Sequence, residues 1–199
     1  MRAEHSDHMH WLRSITLLLA AALLGAATPA GQTYRVDAVA SNLSAKVPFL
    51  GLGSKTAGFP DVAGTIRLDR SRPQDIALDV TIDATKLTAG DDLTLSRLKG
   101  ERFFWVERYP TVRFVGREMT LTSATQGTVE GDLTARGVTK PVTLNITFSR
   151  PPGEIEPEDA ITLTGTTRIN RYDFGMRSYR LIVGKYVNIE LRARMVPQV

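Results

Sequence analysis

From Thr33 onward, apolar side chains recur at every second position along most of the chain. Leu43, Ala45, Val47 and Phe49 alternate with Ser44, Lys46 and Pro48, and Ile66 and Leu68 alternate with Thr65, Arg67 and Asp69. The same period runs through residues 76–84, 112–114, 142–148 and 187–193. A period of two turns successive side chains to opposite faces of an extended chain, so each run predicts a strand with one apolar and one wet face. Such strands belong to an antiparallel sheet. Turn-forming residues at 69–73, 124–127, 136–139 and 151–153 separate or bound the runs, with Gly and Pro supplying the backbone angles that tight turns need. Residues 151–159, rich in Pro and Glu, are expected to be the most mobile loop.

One stretch breaks the period. Asp91 is suited to cap a helix over residues 91–99, because a carboxylate there accepts from the free N–H groups of the first turn, and Gly100 suits the other end. A second helical turn is expected over residues 101–106, before Pro110 stops it. This insertion carries Leu95, Leu98, Phe103 and Phe104. With Trp105 and Tyr109 it gathers four aromatics into seven positions, in a chain that is 7% aromatic. Strands with a single apolar face must hide those faces together, as two stacked sheets or one sheet curled into a barrel. A barrel of about eight strands has an interior that side chains just fill or that holds one small ligand. The pattern alone leaves the aromatic cluster as either solid core or pocket wall.

Composition narrows the chemistry. The 199 residues suffice for one domain with a core. At the N-terminus, Arg13 precedes an apolar run at residues 15–24, followed by Gly25, Ala26, Ala27, Thr28, Pro29 and Ala30. A charged start, a short apolar middle and small residues predict a secretory signal over residues 1–30, cleaved after Ala27 or Ala30, and a domain over residues 31–199. The run is too short for a helix across the roughly 30 Å of a bilayer. All three histidines, His5, His8 and His10, fall in that segment, and there is no cysteine. The exported domain is therefore without His–nucleophile pairs, thiolate chemistry, Cys/His metal sites and disulfides. A pI near 9.6 and a net charge of +4 raise the question of nucleic acid. The basic residues are scattered singly, however, and export separates the protein from nucleic acid. A solvated surface or transient contact with a membrane surface suits them better.

The remaining candidates are weak. Asp91 and Asp92 are neighbours on a helix and point in different directions, so they cap rather than converge on a substrate. Gly51-Leu52-Gly53-Ser54-Lys55 lacks the spacing of a phosphate loop and reads as a turn. Within residues 169–176, Arg171 is expected in a buried strand, where either a carboxylate such as Asp173 or the anionic end of a ligand would match it.

Several motifs then occur in a fixed order. Asp37 is followed by the run at 43–49, Gly58-Phe59 with Gly64-Thr65-Ile66, Leu98 through Phe103-Phe104, and Tyr109-Pro110 with Phe114. Gly131-Asp132-Leu133-Thr134 with Gly137-Val138-Thr139-Lys140-Pro141-Val142 comes next, and then Ile169-Asn170-Arg171-Tyr172-Asp173-Phe174-Gly175. In that combination the chain resembles the YceI-like family of exported, polyisoprenoid-binding, lipocalin-like proteins, over roughly residues 34–196. It departs from the family pattern at Ala40-Ser41, where a His-Ser pair is common, and at Arg102, where an acidic residue is usual. The resemblance implies an all-β fold, an antiparallel lipocalin-like β-barrel of about eight strands with a short helical insertion near residues 91–106. It also implies an elongated apolar pocket for an isoprenoid chain and no catalytic residues.

The expected function is that of a periplasmic carrier for a long apolar, polyisoprenoid-type lipid, without cofactor, metal or catalysis. Burying one CH₂ gains about 0.8 kcal/mol while association costs about 4–15 kcal/mol, so roughly ten to twenty buried carbons are needed. The side chains expected to line the pocket are Phe49, Val80, Ile82, Phe103, Phe104, Phe114, Leu144, Ile146, Phe174 and Ile189, with Arg171 at a polar end of the ligand. Two alternatives stand beside this. One is a filled, structural or stress-related exported barrel; the other is an enzyme acting on an isoprenoid lipid through residues such as Asp132 or Asp173. Oligomeric state is left open, a dimer included.

Overall fold

A computed structural model describes residues 31–198; the expected signal segment, with its three histidines, lies outside the described residues. The alternating runs at residues 43–49, 66–68 and 76–84 fall in strands β2 (Asn42–Phe49), β4 (Val62–Leu68) and β5 (Ala77–Asp83), joined by β1 (Gln32–Val36), β3 (Gly53–Gly58) and β6 (Thr88–Ala89). Helix α1 (Asp92–Lys99) follows. The chain continues with β7 (Thr111–Leu121), β8 (Gln126–Ala135), β9 (Val138–Phe148), β10 (Ile161–Asn170) and β11 (Tyr186–Pro197).

The sheet closes on itself. Antiparallel pairing runs β1–β4–β5–β7–β8–β9–β10–β11 and returns from β11 to β1, an eight-stranded ring with no free edge. β11 is long enough to take two partners on one side. Its residues 195–197 pair with β1, and its residues 188–192 pair with β2. Between β1 and β2 the chain steps out of the ladder. Asp37 accepts from Ala40 N at 3.2 Å and from Arg194 at 3.0 Å, and Ser41 Oγ accepts from Arg194 N at 3.0 Å. β2 then pairs with β3, and β3 with β6, extending one end of the barrel beyond the ring.

That extended end carries α1. Asp91 caps it as its position predicts, accepting from Thr94 N at 2.7 Å, and Gly100 N–H closes the other end on Ser96 and Arg97. The expected second helical turn is not formed. Gly100 leaves the helix in an extended conformation and Trp105 takes a left-handed φ of 51°, so residues 101–108 fold as a series of turns. Neighbours on a helix point about 100° apart, whereas here adjacent Phe103 and Phe104 both face the interior.

The opposite end is packed solid. Tyr34, Ile66, Leu68, Ile76, Met119, Phe148, Ile161 and Met195 form one buried cluster. The segment expected to be the most mobile loop instead plugs it. Ile155 is 1% exposed, Glu156 takes a two-pronged bond from Arg70, and Arg150 pairs with Asp159.

Candidate functional site

Between the packed end and α1 the barrel is hollow. The cavity measures about 230 Å³ as space open to the centre of a water molecule, and its lining is almost wholly apolar. That is many times the roughly 10–15 Å³ needed to hold one water, so the lumen has room for several carbons of an apolar chain.

The hollow arises from small residues at inward positions. Ala45 of β2, Ala57 of β3 and Ala193 of β11 all line the cavity. Glycines let larger neighbours lie back against the wall. A Cβ on Gly131 would stand 2.6 Å from the Phe114 ring, and one on Gly165 would stand 2.9 Å from Leu191. Those side chains therefore leave the centre open.

Eight of the ten expected lining residues are there: Val80, Ile82, Phe103, Phe104, Phe114, Leu144, Ile146 and Ile189. The other two are corrections. Phe49 has the inward parity of Val47 but sits at the end of β2, past its pairing with β11, bridging to Val183 with Lys55 5.5 Å above the Phe49 ring. Phe174 is 2% exposed and belongs to the packing beneath the mouth. It stands on a short 3-10 turn, Arg171–Phe174, that ends at Gly175 with φ 77°. The aromatic cluster also divides. Phe103 stacks on Tyr179 at 5.9 Å and Phe104 meets Phe59 edge-on at 5.7 Å. Trp105 and Tyr109 pack on each other beneath Arg108, and the Tyr109 ring lies against Gly137.

Arg171 stands on that same turn rather than in a strand, and no carboxylate pairs with it among the described residues. It lines the cavity and is 2% exposed. Its Nε donates to Gly184 O at 2.8 Å, its Nη2 to Val183 O at 2.9 Å, and its Nη1 to Met176 O. One guanidinium thus clamps both ends of the loop at residues 176–184, a geometry that its planar fork of donors allows. Burial pushes its pKa down from the ordinary value. The carboxylates that would serve catalysis are elsewhere. Asp132 pairs with Arg117, and exposed Asp173 accepts from Asn170 at 3.1 Å; neither lines the cavity.

The mouth lies where cavity-lining residues come from exposed elements: Lys55 of β3, Thr94 and Leu98 of α1, Phe103, and Val183 of the clamped loop. Lys55 is 41% exposed and reaches Asp91 at 2.8 Å, tying β3 to the start of α1. That bond and the cap bonds from Thr94 hold the Asp91 carboxyl down at about 2.

Comparison with known proteins agrees with this architecture. The family model for the YceI-like domain matches residues 34–195, and the chain belongs to that family. It is 28% identical over 163 residues to a UPF0312 protein of Pseudomonas putida, covering 81% of this chain and 85% of that protein. Among solved structures, BcnA of Burkholderia cenocepacia is similar with a TM-score of 0.72 at 21% identity, over 80% of this chain and 98% of BcnA. A polyisoprenoid binding domain from Saccharophagus degradans, implicated in plant cell wall breakdown, is similar with a TM-score of 0.65 at 14% identity, over 84% of this chain and 99% of that domain. At these identities the structural likeness speaks to the fold.

Proposed function

We propose that this YceI-like protein is a periplasmic carrier that holds one long apolar lipid of polyisoprenoid type in the barrel lumen, without catalysing a reaction on it. The apolar lumen carries the proposal. A void of this size lined by hydrocarbon gives water too few partners to be held well, yet it accepts the carbons of a chain, each gaining about 0.8 kcal/mol. The similarity to a structure described as a polyisoprenoid binding domain supports a prenyl chain over an unbranched one. Arg171 gives the ligand a direction. Among the described residues its buried charge has no carboxylate partner, and three of its five donors are used by backbone. A polar or anionic headgroup therefore rests at its end of the lumen.

Native mass spectrometry of the protein purified from a lipid-containing bacterium tests the reading. The expected spectrum carries a bound species of prenyl-lipid mass. Protein that always arrives empty, and takes up no polyprenol when offered it, overturns it.

A further inference from the structure

Of the large apolar side chains left in water, three leucines gather at the mouth, while Val39 and Leu121 lie elsewhere. Leu52 is 97% exposed, Leu181 is 99%, and Leu50 is 57%. They share one tip. The turn between β2 and β3 is bonded to the clamped loop through Leu50 N–H to Ile182 O at 2.7 Å and Gly184 N–H to Pro48 O at 2.9 Å. The Phe49–Val183 bridge adds to it, and Arg171 secures the loop from behind. The leucines are therefore presented by a braced element.

The same loop is basic. Residues 176–185 contain Arg177, Arg180 and Lys185 and no acid. Arg97, Arg102, Arg177 and Arg180 form no ion pair among the described residues. Arg97 and Arg102 stack instead on Tyr179, and Arg180 on Tyr172. At the packed end, by contrast, Arg70, Arg72 and Arg150 all have carboxylate partners. Arg2 and Arg13 cancel Glu4 and Asp7 within residues 1–30, so the net +4 of the chain belongs to the domain.

We propose that this leucine tip and its arginines dock the mouth of the barrel on the surface of an anionic phospholipid bilayer. Leucines that enter the headgroup layer beside unpaired arginines are the arrangement of a peripheral membrane contact. The lining residues Val47, Lys55 and Val183 adjoin the tip, so a docked barrel faces the membrane with its lumen. Among the described residues no helix is long and apolar enough to cross a membrane, and the contact is a surface one. A second copy of the chain suits the tip poorly. Stable protein interfaces bury about 800 Å² per partner, far more than three leucines offer, and two copies would set like charges face to face.

Flotation with vesicles tests this, using phosphatidylglycerol–phosphatidylethanolamine against pure phosphatidylcholine. The wild type is expected to float with the anionic vesicles only. Leu52→Ser with Leu181→Ser should weaken binding at least tenfold, the effect of withdrawing two leucines from an apolar phase. Arg177→Gln with Arg180→Gln should weaken it about tenfold or more and reduce its salt dependence. Circular dichroism of both variants should match the wild type, since all four residues are exposed. Absence of vesicle binding, equal binding to phosphatidylcholine, or variants that bind like the wild type each overturn the proposal. So does a stable dimer in sedimentation that the leucine variant dissolves. Binding is read with no ligand in the lumen, so this proposal and the carrier reading fail separately.

Discussion

Along β11 the inward side chains change character within a few residues. Val187, Ile189, Leu191 and Ala193 are partly exposed along the cavity wall, while Met195, at the inner end of that wall, is 1% exposed and belongs to the packed cluster. The strand, the alternation and the pairing continue unbroken. What differs is volume. One end sets Tyr34, Phe148 and Met195 against an Ile155 plug, whereas the other sets alanines inward and lays Phe114 and Leu191 against glycines. Polar–apolar patterning closes a barrel; the sizes of the inward residues decide where it is empty.

Substitutions that treat the two ends alike should therefore behave differently. The largest effect is expected from Phe148→Ala in the packed end, where lost burial and an unfilled cavity cost about 3–5 kcal/mol, read by urea unfolding with lipid uptake by the folded fraction unchanged. Next comes Arg171→Met, which leaves the carbonyls of Met176, Val183 and Gly184 without their donor at about 2–4 kcal/mol. Hydrogen exchange should rise within residues 176–184, and Arg171→Lys should restore little, since one ammonium cannot reproduce the fork. Ala45→Phe in the hollow end should change stability by less than about 1 kcal/mol, because the added ring enters existing space instead of overpacking a core. The same change should abolish lipid uptake. If it destabilises as Phe148→Ala does, the two ends are not different in kind.

The smallest effect concerns the helix over the mouth. The Asp91 carboxyl lies near 2 when folded against 3.8 as its ordinary value, held down first by Lys55 and then by Thr94. A depressed carboxylate stabilises the fold fully above its unfolded value and loses that contribution as pH falls through the folded one. The gap in melting temperature between wild type and Asp91→Ala should thus be open at neutral pH and close as pH falls from about 4 to about 2. A gap independent of pH would contradict the assigned cap and ion pair.

Much of this was legible in the chain. The strand runs, the Asp91 cap and the hairpin at residues 136–137 follow from local rules that read the same in any context. β3 escaped the period because Gly53-Ser54-Lys55-Thr56-Ala57-Gly58 offers no large apolar residue to alternate. Parity showed which side chains face inward but not how far along the axis they sit. For that reason Phe49, past the rim, is expected in the lumen, whereas Phe174 stands on a 3-10 turn to which strand parity does not apply. The hollow itself is signalled by small inward residues, Ala45, Ala57, Ala193 and Gly165, where a search for large apolar ones finds nothing. The clamp made by Arg171 depends on carbonyls 5–13 residues away in a loop of irregular backbone, which no periodicity describes.

The most direct test of a hollow, chain-holding end is a titration with polyprenols of increasing length. Affinity should rise at least tenfold per added isoprene unit, as buried methylenes accumulate. It should level off once the chain fills the lumen, because units left outside bury little further surface. Affinity that does not depend on length, or no uptake at any length, would contradict the account.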